Sequence, residues 1–244
     1  SGAGPARQRP MSGGPVSGGR APAAVLFDMD GLLVDTERLW TRAQEDLAAH
    51  FGGVFTPEIK AALLGRGPDT ALHLMLSLLG VDGSRFAEAA RFVMGRIVEL
   101  FATPGAIVAR PGAVELLGAL AAHRVPLALV SSSARVLMDH VLGTVGAARF
   151  QVSVAGDEVV RGKPDPEPYL RASRLLAVAP ARCVVLEDST SGATAGLAAG
   201  CVTVLVPSTP QPADVPVDAV VPSLTHVTPE WLAALVDRRA PREG

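Results

Sequence analysis

The stretch Val25-Leu26-Phe27-Asp28-Met29-Asp30-Gly31-Leu32-Leu33-Val34-Asp35-Thr36 starts apolar, then sets two carboxylates two residues apart and follows them with a glycine. Residues 23 to 27 have the length and continuity of a short buried strand. Asp28 ends that strand, and Gly31 gives the backbone freedom to turn away. If the extended conformation lasts to residue 30, a period of two points Asp28 and Asp30 the same way. Carboxylates crowded at a strand tip repel unless one keeps its proton or a cation lies between them. Aspartates also form turns, but a costly pair is better explained by chemistry.

The remaining composition narrows the field. A chain of 244 residues suffices for one large domain or a domain carrying an insertion. With 48% hydrophobic and 19% charged residues it buries an ordinary core, and a net charge of −2 gives no electrostatic case for nucleic acid. No apolar run approaches the roughly 18 residues of a membrane span, and the segment before Asp28 has no sustained apolar core of the secretory type. Cys183 and Cys201 fall in or beside apolar runs, as buried reduced thiols do, without a disulfide framework or zinc cluster. His50, His73, His123, His140 and His226 have no metal-ligand spacing. The expectation is a soluble cytoplasmic protein with neither nucleic acid nor membrane as partner; nothing in the sequence fixes an oligomeric state.

Residues 1–20 are rich in glycine, serine, proline and arginine and read as a disordered tail outside the fold, with Met11 a candidate natural start. Past Asp35 the period changes. Thr36 suits an N-cap, and Leu39, Trp40, Ala43 and Leu47 recur at helical spacing until Gly52-Gly53. Thr56-Pro57-Glu58 opens a second helix, Gly65-Arg66-Gly67-Pro68 breaks it, and helices over about 69–79 and 84–101 follow. Residues 36–105 carry no strand signal and read as an inserted four-helix unit with its own core of leucine and methionine. Strand and helix then alternate. Strands are expected at 126–130, 150–155, 183–186, 202–206 and 219–221, with helices between them and from Pro111 and Thr228. Short apolar strands alternating with helices predict a parallel sheet covered on both faces, with ligands at the strands' carboxyl ends. Asp28/Asp30, Ser131-Ser132-Ser133 and Glu187-Asp188 all fall at such ends.

Those groups, with Lys163 from Gly162-Lys163-Pro164-Asp165-Pro166, make a set of carboxylates, a hydroxyl and an ammonium. All-oxygen carboxylate donors suit a hard cation, Mg²⁺ above all. A lysine and a hydroxyl beside it are what a tetrahedral dianion needs. A metal-bound carboxylate is a known type of covalent nucleophile, passing through an aspartyl phosphate, and a second carboxylate can then act as acid and base. Lys163 and Lys60 are the only lysines in a chain rich in arginine, so lysine stands where a compact point charge serves.

Taken together, these motifs resemble the haloacid dehalogenase superfamily of hydrolases, in the subgroup with a helical cap inserted after the first strand. Asp28-Met29-Asp30-Gly31, Ser131, Lys163 in its Gly-Lys-Pro-Asp-Pro context, and Glu187-Asp188-Ser189 with Gly192 match its four motifs in order, over about residues 24–237. The resemblance implies an α/β, Rossmann-like core at 21–35 and 106–240 and a cap at 36–105. It implies that Asp28 is the nucleophile and Asp30 the general acid/base. Mg²⁺ would be held by Asp28, the Asp30 carbonyl and Asp188, with Glu187 a ligand or just behind; Ser131, Ser132 and Lys163 would bind phosphate. In the cap, Arg66 and Trp40 are the residues expected to reach the substrate.

Asp30 argues against dehalogenation, because true dehalogenases lack the second aspartate. Lys60 precedes the Gly65-Arg66-Gly67 turn rather than following it, unlike the cap lysine of phosphonate-cleaving relatives. A β-phosphoglucomutase-like mutase is the alternative, but Trp40 stands where such mutases have a histidine, and Pro68 near their cap arginine. A receiver-like phosphoacceptor is a further alternative, though receivers lack the helical insertion and the second aspartate. The favoured expectation is a Mg²⁺-dependent phosphatase acting on a small phosphorylated metabolite.

Overall fold

Six strands make one parallel sheet in the computed structural model, which describes residues 22–64, 66–208 and 215–239. Its strands are β1 (Ala24–Phe27), β4 (Leu127–Val130), β5 (Val152–Val154), β6 (Cys183–Glu187), β7 (Val202–Leu205) and β8 (Ala219–Val220), in the order β5-β4-β1-β6-β7-β8. The chain runs from β1 to β4 and β5 on one side, then crosses to β6 and beyond on the other. That reversal opens a crevice at the carboxyl end of β1. The expected tail at 1–20 and residue 65 of the Gly65 turn lie outside the described residues.

The strands are almost wholly buried because both faces are covered. Val25, Phe27, Leu127, Leu129, Val184 and Leu186 face one core; Ala24, Leu26, Ala128, Val130, Cys183 and Val185 face the other. Alternation along apolar strands with no polar face is what a doubly covered parallel sheet requires. Helices α5 (Ala113–Ala122), α6 (Arg135–Val145), α7 (Glu167–Leu175), α8 (Thr190–Ala198) and α9 (Pro229–Arg239) provide the covers. Cys183 and Cys201 are buried free thiols.

Between β1 and α5 the chain leaves the sheet for α1 (Glu37–His50), α2 (Pro57–Leu63), α3 (Pro68–Leu78) and α4 (Phe86–Phe101). Leu47, Ile59, Leu63, Met75, Leu76 and Ala89 give these helices a core of their own. Thr56 caps α2 by accepting the Ile59 N–H, with Pro57 at the first helical position. Two very short strands, β2 (Val34–Asp35) and β3 (Val108–Ala109), pair antiparallel where the chain leaves for the helices and returns. Sequence periodicity does not reveal this ribbon, since two residues are too few to show a period.

Some expectations change. The helix expected from Pro111 begins at Ala113, because Gly112 adopts φ +83° there, with no room for a side chain against Thr225. Residues 150–155 yield only Val152–Val154 as strand, as Phe150 turns aside to meet the Phe27 ring edge-on at 6.3 Å. Among the described residues no helix is long and apolar enough to cross a membrane.

Candidate active site

β1 and β6 are neighbours in register, Phe27 opposite Leu186, so Asp28 and Glu187 leave the two strand tips side by side. The Asp28 N–H still donates to the Leu186 carbonyl at 3.0 Å, which fixes the first acid against β6. Lys163 reaches this point from the loop before α7. Its Nζ donates to Asp28 Oδ1 at 2.6 Å, Glu187 Oε1 at 2.6 Å and the Val130 carbonyl at 3.0 Å. The side chain is only 5% exposed, so the ammonium is buried between two carboxylates. Burial alone would lower its proton affinity; Asp28 and Glu187 outweigh that and hold it above the ordinary lysine value.

One ammonium does not balance three acids. Asp28, Glu187 and Asp188 bring carboxylate oxygens within 4.8 Å of one another. Desolvation first, then the neighbouring Glu187 charge, raises Asp28 well above the usual carboxylate range and pushes Asp188 up to about 7. Among the described residues, Asp28 Oδ2 is buried without a hydrogen-bond partner. A buried carboxylate oxygen left unsatisfied is costly. An orphaned oxygen inside a group of three acids fits a hard divalent cation, whose preferred donors are oxygens.

Glycines leave room for this crowding. A Cβ on Gly192 would lie 1.8 Å from Glu187 Oε1, and one on Gly31, at φ +86°, would lie 2.1 Å from Asp188 Oδ2. Gly192→Ala should therefore displace the Glu187 carboxylate and cost about 1–3 kcal/mol, as overpacking does. Urea unfolding checks this; a variant as stable as the parent would mean that the site has slack the structure does not show.

Asp30 has a different setting. The strand stops at Phe27, before the extended stretch that would align the two aspartates, and they share no hydrogen-bond partner. Thr36 Oγ1 donates to Asp30 Oδ1 at 2.6 Å, while Ser133 and Ser131 donate to Oδ2 at 2.8 and 3.2 Å. Thr36 is the N-cap residue of α1, as its sequence position suggested, but its hydroxyl donates to Asp30 and accepts no helix N–H. The Asp30 carboxylate is not one of the three-acid group.

A cavity of about 760 Å³ separates the inserted helices from the sheet. Asp30, Ser132 and Ser133 line its floor, Trp40, Arg66 and Met75 its helical side. Arg66 is steadied by donating its Nε to the Ala62 carbonyl at 2.8 Å. Lys60 pairs instead with Glu37 at 2.8 Å and is not part of the lining. Ser132 packs its carbonyl so close to Gly156 that a Cβ there would come within 2.1 Å.

The contacts of four residues escape a reading of the sequence. Buried Tyr169 donates its hydroxyl to Glu187 Oε1 at 2.5 Å, and its ring centroid lies 5.0 Å from Lys163 Nζ. Ser208 donates to Asp188 Oδ2 at 2.6 Å. Thr36 and Ser133 hold Asp30. Position in the Ser131-Ser132-Ser133 run pointed to Ser133's neighbourhood, but no local signal distinguishes these hydroxyls from ordinary caps and core residues.

Residues 22–200 match the family described as a haloacid dehalogenase-like hydrolase. The chain is 36% identical over 208 residues to hexitol phosphatase A of Escherichia coli (strain K12), spanning 83% of this chain and 92% of that one. It is 33% identical to a phosphorylated carbohydrates phosphatase of Thermotoga maritima, over 72% of this chain and 81% of the relative. Among solved structures, CbbY from Rhodobacter sphaeroides in complex with phosphate superposes with a TM-score of 0.72 at 28% identity, covering 84% of this chain and 95% of that one. The chain belongs to the haloacid dehalogenase-like hydrolases. The expectation of a phosphoric monoester hydrolase accords with these relatives.

Proposed function

We propose that this chain is a Mg²⁺-dependent cytoplasmic phosphatase that hydrolyses a small phosphorylated metabolite, a sugar phosphate or similar compound, through an aspartyl phosphate on Asp28. The observation that carries the reading is Asp28 itself. It is buried, gripped at Oδ1 by Lys163, left without a partner at Oδ2 and grouped with Glu187 and Asp188. Asp28 and Asp188 would hold the cation, with the Asp30 carbonyl and Glu187 contributing. When bound, the cation supplies neutralisation for the phosphoryl oxygens and the acids around them.

The residues divide the work. An Asp28 carboxylate oxygen forms a bond to phosphorus as the ester P–O bond breaks, its electron pair leaving with the substrate oxygen. The Asp30 carboxyl gives that oxygen its proton. Water then attacks the phosphorus and passes a proton to the Asp30 carboxylate, the Asp28–phosphorus bond breaks, and inorganic phosphate departs. Lys163, pinned by three acceptors, keeps a fixed positive charge beside the reacting group without needing to reorganise. Ser131 and Ser132 stand at the end of β4 to meet phosphoryl oxygens. The inserted helices cover the cavity and exclude water, with Trp40 and Arg66 facing the leaving group.

Phosphate release should be measured across sugar phosphates, phosphoglycolate and nucleotides, with Mg²⁺ and with EDTA. Release that requires Mg²⁺ is the expected outcome. Conversion of β-glucose 1-phosphate to the 6-phosphate without free phosphate would make the protein a mutase instead. A phosphoprotein persisting after the donor is removed would make it a phosphoacceptor.

A further inference from the structure

The three hydroxyls on Asp30 are not equivalent. Thr36 is 2% exposed and occupies Oδ1. Ser131 is 3% exposed, stands 3.2 Å from Oδ2, and itself accepts the Ser133 N–H at 2.9 Å. Ser133 has the shorter bond to Oδ2, 2.8 Å, and of the three it alone lines the cavity. It sits in the short loop between β4 and α6. Its hydroxyl thus meets the Asp30 carboxylate at the cavity wall, where both residues lie.

We propose that Ser133 is a positioning residue whose hydroxyl holds Asp30 Oδ2 toward the leaving-group oxygen, so that bond cleavage and proton delivery coincide. The inference rests on the phosphatase reading above. A carboxyl group turns easily about its last bond, since such torsions have broad minima. Without Ser133, Oδ2 keeps only the Ser131 contact, which is long for a hydroxyl donor. Proton transfer in the transition state demands hydrogen-bond reach and alignment. As the ester P–O bond breaks, an alkoxide takes the electron pair and needs the Asp30 proton at that moment. A nitrophenolate leaves as a stable anion and does not. Loss of aim therefore penalises alkyl esters selectively.

The experiment compares Ser133→Ala and Ser133→Thr with the parent enzyme in Mg²⁺, measuring kcat/KM for sorbitol phosphate and for p-nitrophenyl phosphate. Ser133→Ala should lose about ten- to a hundredfold on sorbitol phosphate, a part of the usual general-acid contribution, and less than about threefold on the aryl ester. Ser133→Thr, which keeps the hydroxyl, should recover most of the alkyl activity. Equal losses on both esters, or no loss on either, would overturn the proposal, because a structural defect has no reason to distinguish leaving groups. If Ser133→Ala does not fold, Ser133→Cys keeps the volume with a poor donor and should show the same selectivity. A parent enzyme that cleaves neither ester would sink the phosphatase reading itself, a result distinct from the failure of Ser133.

Discussion

Asp28→Asn should abolish phosphate release and leave the protein as stable as the parent, or more so. An amide oxygen is a poor nucleophile, and loss of a covalent nucleophile costs on the order of 10⁴–10⁶ in kcat. Stability should not suffer, for reasons visible in the site. The Asn oxygen still accepts from Lys163, whose other acceptors, Glu187 and the Val130 carbonyl, are untouched. The new NH₂ replaces the partnerless Oδ2 and points a donor into a group where acids crowd within 4.8 Å. Substitution also removes a buried charge whose proton affinity desolvation and Glu187 had already raised. Phosphate release and thermal unfolding of the same preparation check both halves. Activity above about one per cent of the parent would exclude Asp28 as nucleophile; a large fall in Tm would mean that the carboxylate is structural.

Lys163→Met should fail in the opposite way, losing stability as well as activity. Methionine fills a similar volume but leaves Asp28 and Glu187 facing each other without the cation that bridged them at 2.6 Å. Removing one partner of a buried ion pair typically costs about 3–5 kcal/mol, because the remaining charge cannot recover its hydration. Added Mg²⁺ should restore part of that loss, since a ligand that binds only the folded state stabilises it by mass action. Urea unfolding with and without Mg²⁺ measures both effects. A variant as stable as the parent without metal would show that the carboxylates take up protons at no cost and that Lys163 is not their counter-charge. The contrast with Asp28→Asn is informative: the two changes flank the same 2.6 Å contact, yet one removes excess negative charge and the other exposes it.

Much of the architecture was legible in the residues. A strand buried on both faces is apolar throughout, so β1, β4, β6 and β7 announce themselves, and the acids that end β1 and β6 stand out as the first polar residues after apolar runs. Lys163 was conspicuous by its rarity and Gly-Lys-Pro setting. The helices between β2 and β3 were marked by their periodicity and by Pro57 at the start of α2; Pro68, read as part of a break, is in fact the first residue of α3. Local chemistry decides such features.

Tertiary structure decided which side chains meet. The two donors to Asp30 Oδ2 come from 101 and 103 positions along the chain, and the Lys163 donor to Asp28 from 135. Tyr169 looks like an ordinary core residue of α7 until the fold sets its hydroxyl on Glu187. Thr36 has the sequence position of a cap and is used as a donor to an acid instead, because Gly31 and the β2–β3 ribbon turn the chain back over Asp30. Hydrogen bonds are short and directional, so they depend on register and turn geometry to fractions of an ångström. Hydrophobic periodicity, which reports only the face a residue occupies, carries no such information.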